Sequence, residues 1–145
     1  MDGSIWLYPM CSVNRRNERR KDIIDFLKKN FHVQNIYNNA SFYESNNQFL
    51  EGTGSMVLDR EHRIAYASFS QRTNNELFNE WCRIMKFKPV FFHAQDSGKP
   101  VYHTNVLMSI GQNMVFICLE AISESSDKDR LLSYFKDTNK EIIDI

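Results

Sequence analysis

The chain has 145 residues, with 18 basic and 18 acidic side chains that cancel, 42% apolar content and 13% aromatics. This balance suits one globular domain and excludes a disordered chain or a polyelectrolyte that binds nucleic acid or membranes by bulk charge; three cysteines without paired spacing exclude a disulfide framework. No apolar run approaches a membrane span, and the opening "MDGSIWLYPM" lacks a basic run before an apolar core, so a cytoplasmic soluble protein without a signal peptide is expected.

In chain order, "SIWLYPM" (Ser4 to Met10) reads as a strand, "RRNERRKDIIDFLKKNF" (Arg15 to Phe31) as an amphipathic helix and "VQNIYN" (Val33 to Asn38) as a second strand. Ile23, Ile24, Leu27 and Phe31 share one helical stripe, expected to be buried, whereas Arg19, Arg20 and Lys21 fall on the solvated side. Arg15 and Arg16 stand where the preceding loop enters the helix. Cations there oppose the helix macrodipole, which suggests another task for one of them.

Then come the strands "SMVLD" (Ser55 to Asp59) and "RIAYASF" (Arg63 to Phe69), separated by a charged turn. "NNELFNEWCRIMK" (Asn74 to Lys86) is a helix behind an Asn cap, with Leu77, Trp81, Ile84 and Met85 at helical spacing, and "KPVFFHA" (Lys88 to Ala94) is a strand. The same order returns about fifty residues later. "YHTNVLMSI" (Tyr102 to Ile110) and "NMVFICLEAI" (Asn113 to Ile122) are the strands, "SDKDRLLSYFKDT" (Ser126 to Thr138) the helix with Leu131, Leu132 and Phe135 on one stripe, and "KEIIDI" (Lys140 to Ile145) the closing strand.

The repeated unit is therefore strand, strand, helix, strand: an α+β chain with a partial unit at 1–40 and units at 48–95 and 101–145. Such a unit cannot cover its own sheet, so neighbours must pack together, and closure into a ring would remove open edges, as propellers do. The chain stops within a strand-like run and reads as a piece of something longer. Its open edges and uncovered helix flank imply self-association.

Glu51 and His103 occupy comparable places, at the opening of the first strand of successive units, and in a ring these openings converge. A glutamate and a histidine together can share acid and base work, the carboxylate orienting the imidazole or holding a cation. A satisfied structural histidine and a solvated glutamate are the plain alternatives, although an unpaired buried carboxylate would be costly. Arg72, in "SFSQRTN", can grip a carboxylate with two parallel hydrogen bonds, or lie on the surface near a helix start. Cys118 inside an apolar strand and Cys82 on a helix are small hydrophobes; Cys11, in a loop near Arg15, is the cysteine best placed as a nucleophile, with inert placement as its alternative. No metal-ligand spacing and no phosphate loop occurs, so neither metal nor cofactor is expected. The basic stretch "NRRNERRK" is not read as a nucleic-acid patch, for want of net charge and a stacking motif.

The stretches "LYPMCSVNRRNER", "FLEGTGSMVLDREHRIAYASFSQRT" and "YHTNVLMSIGQNMVFICLEAI", in this order and spacing, resemble the amidinotransferase family, which includes citrulline-utilisation hydrolases and arginine deiminases. The resemblance covers nearly the whole chain. It implies a pentein, a fivefold β/α propeller acting on guanidino or ureido groups, of which the chain would hold about two and a half of the five ββαβ repeats. It further implies that Glu51 binds guanidinium or ureido nitrogens and partners His103, the general acid and base. Arg15 and Arg72 would grip the substrate's α-carboxylate, and Gly52 and Gly54 would let the backbone turn close beside the substrate. Asn105 falls where arginine deiminases carry an aspartate, which suits a less charged substrate such as a ureido group. The departure is the nucleophile: the family's cysteine sits in a Gly-rich loop near the C-terminus, and Cys11, Cys82 and Cys118 do not match that motif. The expectation is thus the central part of a guanidino- or ureido-modifying enzyme with a small-molecule substrate, inactive alone and completed by complementary chain fragments. The alternative is a degraded remnant or a non-catalytic ligand-binding or scaffold protein.

Overall fold

A computed structural model describes residues 3–145; Met1 and Asp2, which open the first expected unit, lie outside the described residues. Among the described residues no helix is long and apolar enough to cross a membrane. The chain opens with β1 (Ser4–Trp6), a 3-10 turn (Val13–Glu18), α1 (Lys21–Asn30), β2 (Asn35–Tyr37) and the short α2 (Ala40–Ser45). A unit of β3 (Met56–Asp59), β4 (Ile64–Ser68), α3 (Asn75–Met85) and β5 (Lys88–Phe92) follows. A small hairpin of β6 (Gln95–Asp96) and β7 (Lys99–Pro100) leads to β8 (Met108–Ile110), β9 (Met114–Ile117), α4 (Ser125–Asp137) and β10 (Glu141–Asp144).

Both complete units have one topology. The first two strands pair antiparallel, β3 with β4 and β8 with β9; the third then pairs parallel with the second, β5 with β4 and β10 with β9. The helix of each unit supplies the crossover that a parallel pair requires. At the head of the chain β1 and β2 pair parallel around α1.

Strand alternation explains how β4 organises the interior. All five of its residues are buried. Ile64 and Tyr66 point into a cluster with Val90, Phe92, Val115, Ile117, Leu131 and Phe135, while Ala65 and Ala67 point into another with Leu77, Phe78, Trp81 and Phe87. Successive residues of a strand face opposite sides, so β4 is covered on both faces. The alanines leave room for the large rings that α3 lays against them. α3 starts where its cap was expected: the Asn74 side chain accepts a hydrogen bond from the Leu77 N–H at 2.9 Å.

The head of the chain departs from expectation. The helix read over Arg15 to Phe31 is two elements, broken where Arg19 (ψ 64°) and Arg20 (ψ 123°) leave helical geometry. Arg19 is not on a solvated face: its guanidinium turns inward to Glu44, with contacts at 2.5 and 3.1 Å. The stripe Ile23, Ile24, Leu27 and Phe31 is not buried either. No residue of α1 is buried, and Ile23 and Phe31 are 46% and 61% exposed. Two three-residue strands offer too little sheet to cover a ten-residue helix. In the last unit the expected strands shorten to β8 and β9, because 3-10 turns take up Thr104–Val106 and Leu119–Ala121. Cys118 therefore lies past the end of β9 and is half-buried rather than inside a strand.

A buried ion pair joins the two complete units. Lys140 Nζ lies 3.2 Å from Asp59 Oδ2 and donates to the Gln112 carbonyl at 2.6 Å. Asp59 also accepts from the His62 backbone N–H at 3.1 Å, and its other oxygen lies 3.0 Å from His62 Nδ1. Removing one partner strands the other charge out of water. Asp59→Asn is expected to lower stability by about 3 kcal/mol or more, with much of that recovered by adding Lys140→Met. Urea unfolding of the single and double variants checks this; an Asp59→Asn midpoint equal to that of the parent chain would show the pair to be dispensable.

Candidate functional site

Glu51 sits where a short extended stretch enters a tight turn. Its neighbour Leu50 donates its N–H to the Pro9 carbonyl, and the Phe49 carbonyl accepts from the Asn74 N–H. These bonds hold residues 49–51 between the loop after β1 and the loop after β4. The turn then closes with bonds from Gly54 N–H to the Glu51 carbonyl and from Met56 N–H to the Gly52 carbonyl. The Glu51 side chain is wholly removed from solvent.

The carboxylate is met by groups from three other parts of the chain. His103 Nε2 lies 2.6 Å from Oε2, and the Cys11 backbone N–H donates to Oε1 at 2.9 Å. Arg72 Nη1 and Arg15 Nη1 approach Oε2 at 3.5 and 3.7 Å. The puzzle of a carboxylate at a strand opening is thus answered inside the chain, since a buried charge is tolerated when it is paired and hydrogen-bonded.

The bond to Glu51 has a chemical consequence for His103. A carboxylate only accepts, so Nε2 carries the proton in that bond and the lone pair of the neutral imidazole resides on Nδ1. The ring lies against Gly54. A Cβ built there would stand 2.9 Å from Cε1 and 3.0 Å from Nδ1, closer than any side chain tolerates. Gly54 therefore makes room for the imidazole. Gly52 has a different reason: its φ is +61°, and a Cβ would meet the Tyr8 ring at 3.2 Å.

Of the seven residues singled out in the sequence, the structure gathers Glu51, His103, Arg15, Arg72, Gly52 and Gly54, and places Asn105, whose backbone N–H donates to the Gly54 carbonyl, at a neighbouring cleft. Both guanidinium groups face Glu51, and Arg15 is held in addition by Glu18 through bonds of 2.9 and 3.1 Å. Arg72 also lies 5.4 Å over the Tyr102 ring. Asn105 is exposed and lines a shallow cleft of about 270 Å³ with Met56, Arg60 and Met108. A second cavity, of about 380 Å³, lies beside Glu51 and is lined by Trp6, Tyr8, Met10, Arg15, Glu18 and Gly52. Cys82 is buried in α3, where desolvation pushes its thiol up to about 12, so it stays protonated at neutral pH.

Sequence reading missed a second buried carboxylate, Glu44 of α2. It accepts from the Met10 N–H at 2.8 Å and from Arg19, with Arg16 Nε at 3.4 Å. Adjacent backbone N–H groups, those of Met10 and Cys11, are thus held by Glu44 and Glu51, which fixes the loop that carries Arg15. The basic stretch turns Arg15, Arg16 and Arg19 toward these two carboxylates. α2 is too short for hydrophobic periodicity to reveal it.

Solved structures share this fold. A substrate-bound mutant of the N-terminal domain of ArgZ, described as an arginine dihydrolase from cyanobacteria, superposes with a TM-score of 0.71 at 14% identity, covering 99% of this chain and 49% of that one. A mutant of AgrE in complex with L-arginine also reaches 0.71 at 14% identity, covering 99% of this chain and 20% of that one. The chain spans about half the length of the ArgZ domain. The chain belongs to the family described as N,N dimethylarginine dimethylhydrolase, eukaryotic, whose model matches residues 1–145. A search of curated proteins finds no match.

Glu44 sets the acid response of this region. Burial raises its carboxyl, but the hydrogen bonds from Arg19 and the Met10 N–H, with the charges of Arg19 and Arg16, outweigh it and leave it below the ordinary 4.5. The unfolded chain then takes up the proton first. The stabilisation is complete above the ordinary value and drains away as pH falls through the folded one. Thermal melts from about pH 6 to about pH 3 should show a steep acid limb that Glu44→Gln flattens. An equally steep limb in the variant would assign the acid sensitivity elsewhere.

Proposed function

We propose that this chain carries the acid–base half of an enzyme that hydrolyses a C–N bond in guanidino or ureido compounds of the arginine or citrulline kind. One observation carries the reading: His103 and Glu51, 52 positions apart, form a buried 2.6 Å pair in a chain that a guanidino-hydrolase family model matches from end to end. ArgZ, described as an arginine dihydrolase, and AgrE, solved with L-arginine, support a guanidino substrate by their likeness in fold.

In this reading Glu51 holds the imidazole through Nε2–H, and Nδ1 takes and returns the proton. A thiolate adds to the guanidino carbon, and the departing amine leaves as the C–N bond breaks, with its proton supplied by the imidazole. Water, deprotonated by the same group, then releases the ureido product and restores the thiol. In this reading the thiol is supplied by a complementary segment, because Cys82 is buried in α3 and none of Cys11, Cys82 and Cys118 matches the motif of the family's nucleophile. The finer placement beside citrulline-utilisation hydrolases and arginine deiminases, within the amidinotransferases, rests on the motifs around Glu51, Arg72 and His103. The architecture that goes with it is a single incomplete β/α propeller of units 1–40, 48–95 and 101–145, completed by further segments or by self-association. Arg15 and Arg72 then exchange Glu51 for the substrate's α-carboxylate, while Asn105 lines the neighbouring cleft.

A second reading, a non-catalytic binding or scaffold role, is favoured by the crowding at Glu51, whose oxygens already meet four groups of the chain.

A thermal-shift and turnover assay separates the two. Arginine, dimethylarginine or citrulline should raise the melting temperature of the parent chain by mass action, about 2.7 kcal/mol at a ligand concentration one hundred times Kd. The ligand-dependent rise should vanish in Glu51→Gln, and the isolated chain should release no ornithine or amine. A complete lack of response to all three compounds would leave the scaffold role; ornithine or amine released by the purified chain and abolished by His103→Ala would refute the expected inactivity.

A further inference from the structure

We propose that three buried hydroxyls, those of Ser55, Thr104 and Ser70, form a clasp that positions His103 on Glu51. The inference deepens the proposed function and rests on it in so far as the pair is catalytic; the placement of the imidazole is a separate physical claim.

The clasp consists of one arrangement used three times. Ser55 Oγ accepts from the Glu51 N–H at 2.8 Å and donates to the Arg72 carbonyl at 2.8 Å. Thr104 Oγ1 accepts from the Ser68 N–H at 2.8 Å and donates to the Ser55 carbonyl at 2.6 Å. Ser70 Oγ accepts from the Arg72 N–H at 3.1 Å and donates to the Tyr102 carbonyl at 2.8 Å. Ser55 and Thr104 are fully buried, and Ser70 is 6% exposed.

A hydroxyl is the smallest group that both donates and accepts, so each one joins two backbone groups that no strand pairing reaches. The segments joined here are those that carry the pair. Thr104 and the Tyr102 carbonyl flank His103 on either side in sequence. Thr104 ties that segment to the turn after Glu51 and to the end of β4, while Ser70 ties it to the loop bearing Arg72. Ser55 ties the Glu51 backbone to the same loop. A backbone bond from the Asn105 N–H to the Gly54 carbonyl, at 3.3 Å, runs alongside. Because residues 102–106 form a turn and not a strand, without this clasp they lack a ladder to hold the imidazole in register with the carboxylate.

These are positioning residues: none of the three hydroxyls is bonded to the Glu51 carboxylate or the His103 ring. The test therefore reads the ring. In protein with 15N-labelled histidine, the His103 Nε2–H bonded to Glu51 should give a downfield proton signal in slow exchange with water. Thr104→Val keeps the shape and removes both bonds, and exchange of that proton should become at least about tenfold faster. Thr104→Ser, which keeps the hydroxyl, should retain the parent signal. Thr138→Val is the control: Thr138 is also buried and bonds the Tyr134 carbonyl at 2.8 Å, but caps the C-terminal end of α4, away from the pair. It should lower stability and leave the signal unchanged.

Should Thr104→Val not fold, Ser70→Ala removes one tie at the edge of the clasp and should speed exchange in the same direction. A parent-like signal in Thr104→Val or in Ser70→Ala, or its loss in Thr138→Val, overturns the proposal. The same samples titrated with arginine keep the two claims separate. Faster exchange with no ligand bound by any form sinks the enzymatic reading and leaves the clasp; ligand binding with an unmoved signal does the reverse.

Discussion

A carboxylate taken wholly out of water dominates the architecture of this chain. Glu51 cannot be buried alone, and its partners come from the loop after β1, from the loop after β4 and from the segment before β8. Charge burial of this kind stabilises little in itself, because desolvation offsets most of the attraction. It instead penalises any arrangement in which one of the contributing segments is displaced. The site and the junction between the two complete units are therefore one structural event.

The same logic recurs at the other polar junctions. Glu44 gathers Arg16, Arg19 and the Met10 N–H; Asp59 gathers Lys140 and His62; Asp127, at the start of α4, takes the His93 N–H at 2.8 Å and Arg130 at 2.6 Å. Each acidic group stands where elements distant in sequence meet. The apolar clusters fill the space between sheet and helix, while the acidic groups decide how neighbouring elements are set against each other. A hydrophobic contact tolerates sliding; a buried carboxylate with three or four directional partners does not.

Membership of the dimethylarginine dimethylhydrolase family gives this arrangement its chemical context. A guanidinium is flat, charged and rich in paired N–H donors, so a site for it needs carboxylates and a wall to stack against. The cavity beside Glu51 is lined by Glu18, Trp6 and Tyr8, while the Glu51 carboxylate itself is enclosed by groups of the chain. Two of the chain's own guanidinium groups, those of Arg15 and Arg72, face this carboxylate.

Local pattern determined much of this protein. The order of strands and helices within the two complete units, the Asn74 cap and the stripe of Leu77 and Trp81 were all legible, because they depend on spacing and on the chemistry of neighbouring residues. Glu51 and His103 were legible as candidates from their equivalent places in those units. Tertiary structure decided what distance in sequence conceals: that Arg19 turns inward to Glu44, that the apolar stripe of α1 stays uncovered over a two-stranded sheet, and that Asn105 faces another cleft. It also decided that Gly54 clears space for an imidazole forty-nine positions on, and that Thr104 bonds residues 49 and 36 positions away. A hydrophobic period is written in a dozen neighbouring residues, whereas a hydrogen bond between distant segments depends on where the whole chain brings them.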